Sequence, residues 1–509
     1  MKNLYKILIL IGIPFLLNAC FSLDQEPYKE LSQKNSFKSL QDAQYWVNGM
    51  YATLRENVYG SAMYSTDIQA DFLNMARREG ESDLVTNFHN WTLFTSSNGA
   101  TASIWQSYFS AIQDINIALE GIPTIPISAQ GAATSTAQIN QNMGELHLGR
   151  AYYYTYLVTH YCPVYGESAY GLPLLDKPTI NDFPNRSSVK QTYEFILADI
   201  ARAEQLLGNV RGSVGKTTFS KDAVAALKAR VLLYKEDWAG AYQAASQLIS
   251  SGTYPLATSS STLQNIWDKD VTNENITLLF TRYDKGNTAE LPKGNDVYLG
   301  EDRSWLTQKV LGYYPKMIPT QTFVDLFNDA DFRKDIYIKK LFANYGSTKY
   351  DNIYLVSKYP DNNTLKSSAN DDPTYLHRPK VFRIAETYLI AAEAAYKNGD
   401  QANAKIYLDR LRTARGIGSV TYTDLWAEIQ NERNRELAFE GFRMADIKRW
   451  GLGVVRGTPQ NLDAIVSDPA DQYNQLNIPA GNYKMTWPLP PSDIRYEQGK
   501  ANWQQNPGW

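Results

Sequence analysis

The chain has 509 residues, 43% of them hydrophobic, and a formal net charge of −3. That is enough to bury a large core, as one big domain or two to three packed ones, and it lacks the clustered basic excess of a nucleic-acid binder. Aromatic residues reach 13%, with 35 Tyr and 11 Trp. Most must serve a core, and the number also suits a surface that stacks on sugar rings.

At the N-terminus, Lys2 and Lys6 precede a short apolar run, Ile7 to Leu17, broken by Gly12 and Pro14. The run is too short to span a bilayer and reads as a secretory signal. Leu17-Asn18-Ala19-Cys20 resembles a bacterial lipobox, which implies cleavage before Cys20 and lipidation of that residue. Removing residues 1–19 takes away two lysines and no acid, so the balance moves from −3 to −5. Cys162 is the only other cysteine, so an acylated Cys20 leaves it without a disulfide partner. Its apolar, aromatic setting predicts a small buried hydrophobe.

Residues 21–45 read as an extended tether leading into a first helix. Ser36 or Ser39 can cap it, and Ala43, Trp46, Val47 and Met50 give it one apolar face. From Tyr59 to Thr101, polar, charged and aromatic residues mix without a stable face, and a long irregular stretch inside a compact protein is usually functional. Helical spacing returns at Ile104 to Leu119. Residues 123–137, with Pro123, Pro126 and a run of Ala, Ser and Thr, read as a loop. Glu145 to Tyr161 predicts a strong helix closed by Pro163 and Gly166. Ser187 or Ser188 then opens another through Tyr193, Ile196, Ile200, Ala203 and Leu207.

Two later segments read as degenerate tetratricopeptide (TPR) hairpins. Ala223 to Tyr234 and Trp238 to Ile249 flank the turn Lys235-Glu236-Asp237. Ile384 to Tyr396 and Ala402 to Arg415 flank Lys397-Asn398-Gly399-Asp400. Alanines such as Ala226, Ala229, Ala241, Ala245, Ala391 and Ala395 sit where paired helices must approach closely. Residues 253–380 interrupt the array. Strand-like pieces at Thr277 to Phe280 and Ile353 to Val356 predict loops, short helices and one or two small hairpins there.

Nothing in the sequence announces catalysis. His89, His147, His160 and His377 have no metal-ligand spacing, and the last three residues of a phosphate loop at Gly215-Lys216-Thr217 lack its first glycine, because Val210 stands there. No GxSxG elbow occurs. No local motif presents the paired carboxylates of a glycosidase. His147 and His160 lie on an aromatic-rich helix and read as core or interface residues.

The most informative stretch runs from Asn431 to Gly451. Arg433, Glu436, Glu440, Arg443, Asp446 and Arg449 recur three or four positions apart, interleaved with Leu437, Phe439, Phe442, Met444, Ile447 and Trp450. The spacing predicts a helix with opposite charges one turn apart and an apolar side packed into a core. Charges so close to buried aromatics must be paired, since an unpaired buried charge is very costly. The run resembles the C-terminal signature of the SusD/RagB family, through Glu432-Arg433, Glu436-Leu437, Phe439-Glu440-Gly441, Arg443, Asp446 and Arg449-Trp450. Glu145, Arg150-Ala151 and Tyr153 resemble that family's first helical-repeat signature. Trp487-Pro488-Leu489-Pro490 and Gln505-Asn506-Pro507-Gly508-Trp509 resemble its closing segment, with Ile494-Arg495-Tyr496 departing from the usual Asn-Pro turn.

The resemblance implies a mainly α, SusD-like fold: an interrupted helical-hairpin scaffold of TPR type with an irregular, loop-rich lobe and small β-hairpins. A single domain, 20–509, would follow the signal peptide at 1–19. Its scaffold would occupy residues 36–60, 104–252 and 381–451, its ligand-binding loops 60–103 and 253–380, and its closing segment 452–509. The implied function is capture of glycans at the cell surface and delivery to a SusC-like TonB-dependent transporter in the outer membrane, which the chain would grip by its lipid anchor. Asp24 and Glu26 resemble the surface-export signal of such lipoproteins. A RagB-like peptide-binding subunit is the alternative, and a glycan-degrading enzyme a third reading. No cofactor is expected, although Asp- and Asn-rich loops at 325–335 and 360–372 would permit calcium. Sugar-stacking aromatics and hydroxyl partners from the two loop regions give the candidate site: Asp71, Asn74, Arg77, Arg78, Asn90 and Trp91, with Trp305, Tyr313 and Tyr314.

Overall fold

The computed structural model describes residues 36–76, 87–179, 184–271, 273–283, 301–302, 312–345, 348–368, 374–465, 476–496 and 503–509. Helix α1 (Leu40–Val58) starts where Ser39 caps the Asp42 amide and the Asp42 carboxylate accepts from the Ser39 amide at 2.8 Å. Helix α2 (Ser61–Gln69) and strand β1 (Leu73–Met75) follow, so part of the stretch expected to be irregular is regular. Next come α3 (Gly99–Gly121) and α4 (Ala132–Tyr161). Helix α4 begins inside the segment read as a loop: Gly131, at φ +79°, makes the turn, and the alanines behind it favour helix more than linker.

A capping box at Ser188 opens α5 (Val189–Leu207), followed by α6 (Lys221–Tyr234), α7 (Trp238–Ser250) and α8 (Ser260–Asp268). The interruption carries β2 (Asn275–Leu278), β3 (Glu301–Asp302), β4 (Gly312–Tyr313), β5 (Met317–Pro319), β6 (Ile338–Tyr345) and β7 (Thr348–Val356). Strand β8 (Lys380–Arg383) then leads into α9 (Ile384–Lys397), α10 (Gln401–Ala414), α11 (Leu425–Glu436) and α12 (Arg443–Arg449), with β9 (Val454–Val455) and β10 (Asn477–Ile478) behind them.

The helices pack in sequence: α1 on α3 and α4, α3 on α4, α4 on α5, α5 on α6, and α6 on α7. Helix α7 then packs on α9, and α9 on α10 and α11, so the two hairpins far apart in sequence are adjacent in space. Ala229, Ala241, Ala245, Ala391 and Ala394 are fully buried on these helices, where small side chains let backbones come close. The antiparallel β2–β8 pair ties the two ends of the interruption to the array.

The stretch 431–451 is two helices rather than one. Helix α11 ends at Glu436, Phe439 and Gly441 take φ of +62° and +82°, and α12 starts at Arg443. The charges therefore reach across the molecule. Glu436 accepts from Arg415 Nε at 2.9 Å, Arg383 Nη1 at 3.0 Å, Arg333 Nη1 at 3.1 Å and Tyr337 OH at 3.2 Å. Glu440 accepts from Lys358 Nζ at 2.7 Å and Arg383 Nε at 2.9 Å. Arg433 donates to Asp446 at 2.7 Å, and Arg449 to Asp446 at 2.9 Å and Glu393 at 2.7 Å. Burial pushes the Glu436 carboxyl up, but the charges of Arg415, Arg383 and Arg333 outweigh it and hold the group well below its usual range. Glu432 is held at about 2, against burial, by Arg333 and Arg435. Because Arg333 and Lys358 belong to the interruption, this stretch clamps it to the helical array.

Candidate functional site

Ala76, Ile318, Ala343, Tyr345, Ile353, Leu355 and Tyr375 form a second, smaller core. Strand β1 pairs antiparallel with β5, placing Asn74 opposite Ile318, and β6 pairs with β7 from Ile338–Val356 to Tyr345–Thr348. Alternation along this hairpin turns Ala343, Tyr345, Ile353 and Leu355 into that core. The opposite face carries Lys340, Phe342, Asn344, Lys349 and Tyr354. Asn352, at φ +63°, is the extra residue between the pairs Leu341–Ile353 and Phe342–Asp351, a bulge of the kind that raises local twist.

Phe342 is half-buried, and its ring meets Tyr313 edge-on at 5.2 Å. Tyr314 and Asn344 close over Gly312, where a Cβ would meet Tyr314 Cε2 at 2.7 Å and Asn344 Nδ2 at 3.3 Å. Tyr345 OH donates to Pro315 O at 3.0 Å and pins the loop behind Tyr314. Lys349 Nζ lies 4.5 Å from the Phe342 centroid, and Lys340 Nζ 5.7 Å from that of Tyr354. Exposed contacts of this kind are worth only about 0.5–1 kcal/mol, so a ligand can displace the ammonium groups. Phe342 and Tyr354 share the outer face of the hairpin by register, and Tyr313 and Tyr314 lie beside it; Tyr313 also packs against the smaller core and Tyr354 against the main one, so the four leave a partly buried aromatic surface bordered by hydrogen-bonding groups. Apolar ring faces beside donors and acceptors match the alternating C–H and hydroxyl surface of a sugar.

Of the residues chosen from sequence, Tyr313 and Tyr314 join this surface. Asp71 instead accepts from Arg443 Nε at 2.8 Å and Nη2 at 2.6 Å. Asn74 is fully buried on β1, its Nδ2 3.4 Å from Gly457 O. Asn90 is buried in a turn, its Oδ1 accepting from the Thr92 amide at 3.0 Å and hydroxyl at 2.6 Å. Trp91, 2% exposed, is a core residue: Nε1 donates to Gln69 O at 3.0 Å, and the ring packs with Met444, Ile447, Val454 and Met485. Arg456 donates to His89 O at 2.9 Å and Ala70 O at 3.1 Å, and His89 Nε2 accepts from the Met75 amide at 3.1 Å, drawing the whole segment inward. Burial, with the Arg456 charge beside it, holds His89 well below its usual value, so the ring is neutral.

Arg77, Arg78, Trp305 and the lipidation candidate Cys20 lie outside the described residues. Phe342, Asn344, Lys349 and Tyr354 escaped the sequence reading, and the alternation through 338–356 was the signal that could have found them. In the loops that would permit calcium, Asp331 is bound by Arg333 at 2.7 Å and Asp361 by Lys366, while 369–372 lie outside the described residues. Among the described residues, no three His, Cys, Asp or Glu stand together as metal ligands.

The buried carboxylates Glu274, Glu432 and Glu436 are bound by Arg415, Arg333 and Arg415 respectively. Burial raises Glu145, which is held between Tyr51 OH at 2.7 Å and Gln141 Nε2 at 2.8 Å in the helical array. His147 Nδ1 lies 2.7 Å from Asp199, and burial takes His160 down to about 3. Cys162 is fully buried, and burial pushes its thiol up to about 11. These groups serve packing.

Two family models match the chain. One is described as the SusD family and matches residues 337–509; the other, described as starch-binding and associating with the outer membrane, matches residues 22–233. SusD-like protein P38 of Formosa agariphila is 25% identical, over 90% of this chain and 93% of its own. SusD-like protein P2 of the same organism is 24% identical, over 97% and 99%. A solved SusD superfamily protein of Bacteroides thetaiotaomicron superposes with a TM-score of 0.74 at 23% identity, over 92% of this chain and 100% of its own. Surface glycan-binding protein A of Bacteroides fluxus superposes with a TM-score of 0.69 at 19% identity, over 93% and 100%. The helical-hairpin scaffold with small β-hairpins is the fold of these structures.

Proposed function

Since the chain belongs to the SusD family, we propose that it is a surface glycan-binding protein whose ligand lies across the outer face of the β6–β7 hairpin. The observation that carries this reading is the half-buried surface of Tyr313, Tyr314, Phe342 and Tyr354, with Asn344, Lys340 and Lys349 beside it. A shallow, wet site of this kind binds weakly, because water competes for every hydroxyl.

Capture needs no covalent chemistry, and we take the chain to be non-catalytic. A glycosidase needs a carboxyl whose pKa is raised beside the scissile bond; Glu145, which burial raises, is held by Tyr51 and Gln141 inside the helical array, and Glu432 and Glu436 are held ionised by arginines. The family model matching residues 22–233, described as associating with the outer membrane, supports such an association here, and no described helix is long and apolar enough to cross a bilayer. In this reading acyl chains on Cys20 hold the protein to the membrane, its site faces the exterior, and the glycan passes to a SusC-like TonB-dependent transporter.

Calorimetric titration of the chain from Phe21 onward against plant, microbial and host polysaccharides and a peptide mixture, with products examined for cleavage, tests the class. Saturable binding of one glycan type without cleavage is expected. Binding of peptides alone would replace this reading with the RagB-like one, and turnover of a glycan would overturn it.

A further inference from the structure

A groove of about 320 Å³ opens between α1, α3 and α4, remote in the fold from the β6–β7 hairpin. Met50, Ile115, Leu146 and Tyr153 make it apolar, and Trp46 and Tyr45 form its rim, Tyr45 being 63% exposed. Its α1 side runs from Asp42 to Thr53, about 17 Å at 1.5 Å per residue.

We propose that this groove is the docking site of the chain's own leading segment, residues 28–35, with Tyr28 and Leu31 against the apolar wall. Four observations converge on that occupant. Ser36, the first described residue, itself lines the groove and is buried. Phe37 fixes where the chain enters: its ring stacks on Trp46 at 5.4 Å and 14°, and lies so close to Gly121 that a Cβ there would meet it at 2.1 Å. The length also fits, since residues 28–35 reach about 27 Å at full extension, enough to follow the groove's wall of about 17 Å with slack for Tyr28 to turn back onto it. Finally, Asp114 on the groove wall has no salt bridge to a described residue, and Lys29 and Lys34 of the leading segment bring the complementary charge.

Docking would leave residues 20–27 as the free leader, about 26 Å at full extension. It would thereby hold the body close to whatever anchors residue 20, and in a constant orientation.

Cross-linking tests the proposal in the chain from Phe21 onward, where the one native thiol, Cys162, is buried. Ser32→Cys paired with Thr53→Cys should form an intramolecular link with a short bismaleimide at least tenfold faster than Ser32→Cys paired with Ser250→Cys on α7. Adding Leu31→Asp should cut the first rate at least tenfold. Tryptic cleavage after Lys29 and Lys34, followed by mass, gives a reading free of engineered thiols and should be slower in the parent chain than in Leu31→Asp. Equal rates for both cysteine pairs, or indifference to Leu31→Asp, would overturn the proposal. Links formed only between molecules would overturn it as well, by assigning the groove to a second copy.

Discussion

Asp71 and Arg443 stand 372 positions apart and meet through two hydrogen bonds, with side chains 13% and 11% exposed. An aspartate that chemistry alone would offer to a sugar hydroxyl is committed to holding α12 against the segment after α2. Arg443→Ala strands that carboxylate and should lower stability by roughly 3 kcal/mol, read from denaturant midpoints. The double variant with Asp71→Ala should cost less than the two single losses added together. An unchanged midpoint for Arg443→Ala would place the pair in solvent. Trp91 follows the same logic: Trp91→Ala should destabilise by about 3–5 kcal/mol, as loss of a fully packed ring does. Tyr313→Ala removes a partly buried ring from the edge of the smaller core and should lower the midpoint by less than Trp91→Ala does.

At the scale of elements, the break between α11 and α12 depends on backbone sign. Gly441 sits at φ +82°, and a Cβ on it would meet Met63 O at 3.1 Å. Gly441→Ala should therefore cost on the order of 1–3 kcal/mol, and a fully tolerated alanine would show that the break relaxes without strain. Caps and stops were legible in the sequence because they are local: Ser39 and Ser188 open their helices, and Gly252 and Gly416 take positive φ just past theirs. The break was not legible, because helical periodicity counts positions and cannot register Phe439 turning left-handed under tertiary contacts. The alternation of β6 and β7 was visible as far as Ile353 to Val356. Which face turns outward is decided by Ala76 and Ile318, remote in sequence, and the burial of Trp91 by Met444, Ile447, Val454 and Met485, equally remote. The candidate surface was legible through Tyr313 and Tyr314; Phe342 and Tyr354 needed the register.

Across the whole molecule, Arg333, Arg383 and Arg415 meet Glu274, Glu432 and Glu436 where the helical array joins the interruption. Folding lowers the pKa of Glu432 from 4.5 to about 2 and that of Glu436 well below 4.5. A depressed carboxylate contributes stability that is present above its unfolded value and lost as pH falls toward its folded one. The melting midpoint should therefore begin to fall below about pH 6.5, as unfolded His89 and His160 take up protons that the buried rings refuse, and fall more steeply between pH 4.5 and 2, with array and interruption unfolding together. A level profile down to pH 2.5 would mean that these carboxylates titrate alike in both states.

Glycan capture by this protein depends, in the proposed function, on the outer face of the β6–β7 hairpin. The most direct test is calorimetric titration of the glycan found for the parent chain into Tyr313→Ala/Phe342→Ala, beside Trp426→Ala on α11 as a half-buried aromatic control from the helical array. At least a tenfold loss of affinity is expected in the double variant, which still unfolds cooperatively though at a lower midpoint, and full affinity in the control. A folded double variant that binds like the parent would contradict that dependence.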